Sequence, residues 1–256
     1  MDPASLFGFI IAWIMLVGSI IVSGNPLALY WDVGSFVLVV VGSLSATIMA
    51  SNASHVRKIP SYMGLVFKKH SYNIQDTITQ LVGFSESARK DGLLSLDDAV
   101  KDIQDPFLSG GLRLVVDGTD PLIIAKIMQL ELDKLDDRHA EASGVFDTWT
   151  ALAPAFGMLG TVMGLVGMMA NLSDTASIGK GMALALITTF YGSIVANVVA
   201  MPMGSKLKII NQEELFLKEI MMEGVLGIQS GDNPRILEQK LFSFLAARQR
   251  PASKEI

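Results

Sequence analysis

The sequence predicts an all-α integral membrane protein, with four transmembrane helices and a helical cytoplasmic domain. Three observations carry this. Half of the 256 residues are hydrophobic and the mean hydropathy is +0.45, too apolar for a soluble domain of this size. Four stretches, Ala4–Val22, Val33–Ala50, Thr150–Ala170 and Gly181–Met201, contain no charged residue. Each is about 18–21 residues long, against the ~20 that a helix needs to cross a ~30 Å hydrocarbon core. The period-two alternation of a half-buried strand is weak throughout.

The first span is distinguished from a signal peptide by the length of its apolar run, by Asp2 in place of a basic leader and by the lack of an A-x-A site; it is expected to remain in the chain. Basic residues set the orientation. His55, Arg57, Lys58, Lys68 and Lys69 follow the second span, and Lys206 and Lys208 follow the fourth. The short loops Ser23–Asp32 and Asn171–Lys180 hold one lysine and two aspartates. The positive-inside rule therefore places both termini and the large loop in the cytoplasm. The expected organisation is 1–50, spans 1 and 2; 51–149, a cytoplasmic helical domain; 150–203, spans 3 and 4; and 204–256, cytoplasmic C-terminal helices.

Within the cytoplasmic part, Ile74, Ile78, Leu81, Val82, Ser85 and Ala88 follow a helical period, with Asn73 as N-cap and Gly92 as stop. Ser95-Leu96-Asp97-Asp98 reads as a capping-box start. After the Asp117-Gly118 turn, Asp120-Pro121 opens a long helix through Leu130, Leu135 and His139 towards span 3. Span 4 is expected to continue through Leu217 and Ile220 to a break at Ser230-Gly231-Asp232. A last helix then runs from Asn233-Pro234 to about Gln249.

In span 3, Gly157, Gly160, Gly164 and Gly167 are spaced 3, 4 and 3 residues apart and share one helix face. Glycine there lets a second helix backbone approach closely, which is how membrane helices pack when lipid supplies no hydrophobic drive between them. The facing stripe is Gly181, Ala185, Thr188/Thr189, Gly192 and Ala196 of span 4. Thr161, Thr188 and Thr189 place hydroxyls on these two helices. Each could simply bond its own helix carbonyls, or the three could share a partly dehydrated cation with backbone oxygens. A stepwise ion carrier also needs a carboxylate at depth, and no span contains one, so another protein would have to supply it.

Asp32, at the mouth of span 2, is either an N-cap or a charge that gathers cations. Pro154 and Pro202, near the inner ends of spans 3 and 4, read as structural kinks or as gates. Arg89 and Lys90 end one helix where Asp97 and Asp98 open the next. They suit the helix dipoles, and they also form a two-sign patch facing the cytosol.

Other classes of chemistry find little support. The chain has no cysteine, its three histidines (His55, His70 and His139) have no metal-ligand spacing, and it carries no P-loop, GxSxG or HExxH motif. No catalytic residue, metal or organic cofactor is expected, and a net charge of −5 argues against nucleic acid.

The run Ala153-Pro154-Ala155-Phe156-Gly157-Met158-Leu159-Gly160-Thr161-Val162-Met163-Gly164-Leu165 resembles the third-span signature of flagellar motor stator A subunits, the MotA/PomA family. Val115-Val116-Asp117-Gly118, Asp137-Arg138-His139, Leu186-Ile187-Thr188-Thr189-Phe190-Tyr191-Gly192 and Gly224-Val225-Leu226-Gly227-Ile228-Gln229 extend the resemblance over nearly the whole chain. The third span is shared with ExbB/TolQ energisers; the four-span layout and the charged patch narrow the likeness to the stator branch, most similar to sodium-driven members.

That resemblance implies a pentamer in the bacterial inner membrane, surrounding two copies of a single-span B subunit that supplies the ion-binding Asp and anchors to peptidoglycan. It implies Na⁺ as the transported cation, with H⁺ as the alternative. It further implies that Thr161 and Thr189 line the ion path, that Asp32 sits at the ion entrance and that Pro154 and Pro202 couple ion binding to cytoplasmic movement. Arg89, Lys90, Asp97 and Asp98 would contact the rotor protein FliG, although relatives often carry Glu at the two acidic positions. An ExbB/TolQ-type energiser and a non-conducting membrane scaffold remain the rival readings.

Overall fold

A computed structural model describes residues 2–69, 72–170 and 172–246, and helices are the regular elements found among them. The chain divides into two units, Met1–His70 with His139–Ile210, and Ser71–Arg138 with Asn211–Ile256. Residues 51–69 and 139–149 of the expected cytoplasmic domain thus cluster with the spans, and the residues after Ile210 cluster with 72–138. Sequence segments set by charge do not coincide with units set by packing.

In the first unit, α1 (Pro3–Val22) is started by Asp2, whose carboxylate accepts from the Ala4 N–H, with proline at the first helical position. Gly24, at φ +74°, turns the chain after it. The second span, α2, starts at Val33–Phe36, widens into a π-helical segment at Val37–Val41 and resumes as Gly42–Ala50. Short helices α3 (Ala53–Val56) and α4 (Ile59–Phe67) follow. The third span is the last part of α8 (Pro121–Ala170). The fourth belongs to α9, which runs as Thr175–Ile194, a π-helical segment Val195–Ala200 and Met201–Gln229. This helix begins six residues before the apolar stretch at Gly181, because Asp174 caps it by accepting from the Ala176 N–H at 3.1 Å and the Ser177 hydroxyl at 2.5 Å.

All four spans are helices long and apolar enough to cross a membrane. Spans 2 and 3 lock together through side chains that a helical wheel cannot pair. The Trp149 indole N–H donates to Ser43 Oγ at 3.0 Å, and the Phe156 ring occupies the space that a side chain at Gly42 would need. Val66, Phe146, Met203 and Leu207 form a small core, with Tyr62, Phe67 and Trp149 packed against it.

The second unit has a larger apolar core. It is built from α5 (Ile74–Asp91), α6 (Leu96–Lys101), α7 (Pro106–Val116), the first part of α8, the last part of α9, and α10 (Pro234–Ser243). Ile78, Leu81, Leu112, Val115, Ile124, Val225, Leu237 and Leu241 are fully buried in it. Gly92 (φ +86°) and Gly118 (φ +71°) end α5 and α7 in the left-handed conformation that favours glycine. The capping box expected at Ser95 is absent. A short 3₁₀ turn, Leu93–Ser95, precedes α6, and the Ser95 hydroxyl donates back to the Gly92 carbonyl at 2.7 Å. The last helix ends at Ser243, and Gln249 lies outside the described residues.

Candidate functional site

The glycine stripe of span 3 packs on span 4 with almost no space between the backbones. A Cβ at Gly157 would lie 3.0 Å from the Thr188 carbonyl oxygen, and one at Gly164 would lie 2.5 Å from that of Gly181. Gly192 is pressed against the Ala153 carbonyl and Pro154 Cα, so the proline of span 3 is met by a glycine of span 4. Gly167 differs from the other three: a Cβ there meets no atom within 4 Å in this chain.

The three threonines separate into two environments. Thr188 is completely buried against Gly160, and its hydroxyl donates to the Leu184 and Ala185 carbonyls at 2.9 and 3.1 Å. Thr188 is therefore packed into the helix seam, apart from the other two hydroxyls. Thr161 is half-buried and Thr189 exposed. Both border Gly157: Thr161 lies one helical turn beyond it, and Thr189 Cα would be 3.4 Å from its Cβ. Thr161 donates to the Met158 carbonyl at 2.6 Å and Thr189 to the Ala185 carbonyl at 3.1 Å. The hydroxyl protons are satisfied within the helices, while the oxygen lone pairs remain available as acceptors.

Around these hydroxyls the hairpin of spans 3 and 4 is apolar and open. Met158, Val162, Val166, Met169 and Leu186 are all more than half exposed. An apolar surface of this extent is a contact surface for lipid or for other transmembrane helices.

Asp32 caps α2, its carboxylate accepting from the Ser35 N–H at 2.6 Å. Its own N–H donates to the Tyr191 hydroxyl at 3.2 Å, and that hydroxyl donates to the Tyr30 carbonyl at 2.6 Å. Tyr191 thus fastens the loop between spans 1 and 2 to span 4. No spacing in the sequence reveals this role for Tyr191, because the contact closes over 159 residues. Pro154 lies inside α8, and Pro202 comes two residues after the π-helical segment Val195–Ala200 of α9.

His55 also gains partners that spacing could not show. Its Nε2 lies 2.8 Å from Glu141 and its Nδ1 lies 2.9 Å from the Tyr62 hydroxyl. Burial and the nearby Glu141 carboxylate raise the pKa of Tyr62. His70 lies outside the described residues. Among the described residues, no group of three or more metal-ligating side chains occurs.

In the second unit, Arg89 and Lys90 are exposed in the last turn of α5, and Asp97 and Asp98 are exposed in the first turn of α6. Lys101 bridges the two acids, at 3.3 Å from Asp97 and 2.8 Å from Asp98, and its hydrogen bond holds the Asp98 carboxyl below its ordinary pKa. Arg113 lines a small cleft with Asp97, Lys101 and Asp117, adding a basic residue that the sequence reading did not include in the patch.

These features define a polytopic helical membrane protein with a glycine-packed hairpin and an open apolar face. The chain belongs to the MotA/TolQ/ExbB proton channel family, whose model matches residues 99–220. It is 48% identical to motility protein A of Borreliella burgdorferi over 250 residues, covering 98% of this chain and 96% of that protein. It is 34% identical to the chemotaxis protein PomA of Vibrio alginolyticus, with 96% of each chain covered. Among solved structures, the flagellar MotAB stator complex of Bacillus subtilis matches with a TM-score of 0.89 at 30% identity, over 96% of this chain and 97% of that one. The MotAB structure of C. jejuni matches with a TM-score of 0.89 at 28% identity, covering all of both chains. This is a family of channel and stator subunits rather than of enzymes.

Proposed function

We propose that the chain is the A-type stator subunit of a bacterial flagellar motor, forming with a B-type subunit a cation channel that couples ion flow to torque on the rotor. The observation that carries this reading is the pair of charge-free spans 3 and 4, glycine-packed on their shared seam and open on their apolar face beside Thr161 and Thr189. Spans without a carboxylate at depth cannot relay ions stepwise by themselves. Their open face suits a neighbouring transmembrane helix that brings the acid. The whole-chain likeness to motility protein A supports the stator reading over an outer-membrane energiser.

The partner is a single-span B subunit, and five copies of the chain surround two of it in the inner membrane, with both termini cytoplasmic. Thr161 and Thr189 lend hydroxyl oxygens to a passing Na⁺, which must exchange hydration water for protein oxygens. Asp32 stands at the ion entrance, and Pro154 and Pro202 transmit movement along α8 and α9. Arg89, Lys90, Asp97 and Asp98 meet FliG.

The test is cation flux into vesicles containing the chain with and without a cognate B subunit, alongside motility of stator-deleted cells supplied with both. Flux and motility that need both proteins are expected. Robust flux from the chain alone would overturn the division of labour, and a lack of flux from the pair would leave the scaffold reading.

A further inference from the structure

In the first unit a cleft of about 380 Å³ opens between the inner end of α1, the end of α4 and the α9 segment around Pro202. Its floor is shaped by small side chains of α1: Ala4, Gly8 and Ala12 line it one turn apart, and a Cβ at Gly8 would meet nothing within 4 Å. Val66 and Phe67 form one wall, and Pro202 lies on the opposite one. Such a volume lies within the ~300–1,000 Å³ typical of small-molecule sites.

The inner end of the cleft is charged. Lys206 lines it and pairs with Asp2 at 2.6 Å while remaining 29% exposed. The Asp2 N–H donates to the Phe67 carbonyl at 2.9 Å, which brings the exposed Lys68 and Lys69 to the same end of α1. Three lysines against one aspartate leave this rim basic, next to an apolar trough on a span that otherwise buries only Ile20. Basic pockets between transmembrane helices on the cytoplasmic side are suited to anionic lipid headgroups.

We propose that this cleft binds an anionic phospholipid of the cytoplasmic leaflet, with one acyl chain along Ala4, Gly8 and Ala12 and the phosphate at Lys206 and Lys68. The lipid rests against Pro202, so its acyl chain is the medium in which the bend of α9 moves. The site does not depend on ion conduction, and its failure would leave the stator reading untouched.

The experiment uses the full chain with its B subunit, reconstituted in nanodiscs of phosphatidylcholine with or without phosphatidylglycerol. Ala12→Cys introduces a unique thiol, since the chain has no cysteine, to which a short photoactivatable crosslinker is attached. Phosphatidylglycerol adducts enriched over phosphatidylcholine are expected, and free glycerol 3-phosphate should not compete. Lys206→Gln should reduce that enrichment about fivefold, the equivalent of ~1 kcal/mol per basic residue near an anionic surface. Crosslinking to a second copy or to the B subunit would overturn the proposal. So would adducts without lipid preference, or an enrichment unchanged in Lys206→Gln; Gly8→Trp, which fills the trough, should abolish lipid adducts while the assembly keeps its size.

Discussion

Gly160 and Thr188 cannot both carry a side chain: a Cβ at Gly160 would lie 2.4 Å from the Cβ of Thr188. Gly160→Ala should therefore destabilise the assembly by about 1–3 kcal/mol, the usual cost of overpacking. Thr188→Gly in the same chain, which removes that Cβ, should return part of that loss. The melting temperature of the purified complex and swimming speed both read this, and equal defects in the single and double variants would show that the two residues do not share the space.

At Gly164 and Gly181 the obstacle is backbone. A Cβ at Gly164 would lie 2.5 Å from the Gly181 carbonyl oxygen, and one at Gly181 would lie 2.6 Å from that of Gly164. Backbone cannot rotate away as a side chain can, so either glycine changed to alanine should be more damaging than Gly160→Ala. Shortening Ala185 to glycine should not rescue it. Assembly yield on size-exclusion chromatography is the measurement.

Lys206 holds the Asp2 carboxyl down at about 2, from an ordinary 3.8, chiefly by its hydrogen bond to the carboxylate and then by that of Ser5. A depressed carboxyl pKa stabilises the folded state above the unfolded value, and that contribution is lost as pH falls through the folded one. The advantage of wild type over Lys206→Gln in melting temperature should be constant at neutral pH and shrink between pH 3.8 and about 2. A difference independent of pH throughout would assign the lysine's effect to packing.

Thr161→Ala removes a hydroxyl that the proposed ion path would use, at a position outside the Gly160–Thr188 contact. Motility should rise with external Na⁺ at fixed proton-motive force in wild type and fall sharply in Thr161→Ala and Thr189→Ala. Rotation that ignores Na⁺ but stops when the proton gradient collapses would make H⁺ the coupling ion.

Lys101 partly neutralises Asp97 and Asp98 before any partner arrives. Lys101→Gln should raise the Asp98 pKa towards the ordinary carboxylate value and strengthen attraction to a basic rotor surface. Exposed pairs contribute only about 0.2–1 kcal/mol each. Single neutralisations at Arg89 or Asp97 should therefore slow swimming modestly and charge reversals should slow it more, with compensating reversals on the rotor restoring part of it. Loss of membrane assembly in Arg89→Glu would instead assign that charge to folding.

The four spans, the α5 helix with its Asn73 cap and Gly92 stop, and the long helix opened by Asp120-Pro121 were all legible in the sequence. These features depend on local chemistry: apolar length against bilayer thickness, capping side chains and glycine at a positive φ. The facing of the two small-residue stripes was legible for the same reason, since glycines spaced 3, 4 and 3 residues apart can lie on only one side of a helix. Tertiary structure alone decided which threonine is a hydroxyl of the seam and which are hydroxyls of the open face. Thr188 and Thr189 are neighbours in sequence, but a rotation of 100° per residue sends one into Gly160 and leaves the other exposed. It also decided the pairings of His55 with Glu141, Tyr191 with Asp32, and Lys206 with Asp2. Each joins residues more than eighty positions apart, and no helical period or cap encodes a contact made only when separate helices meet.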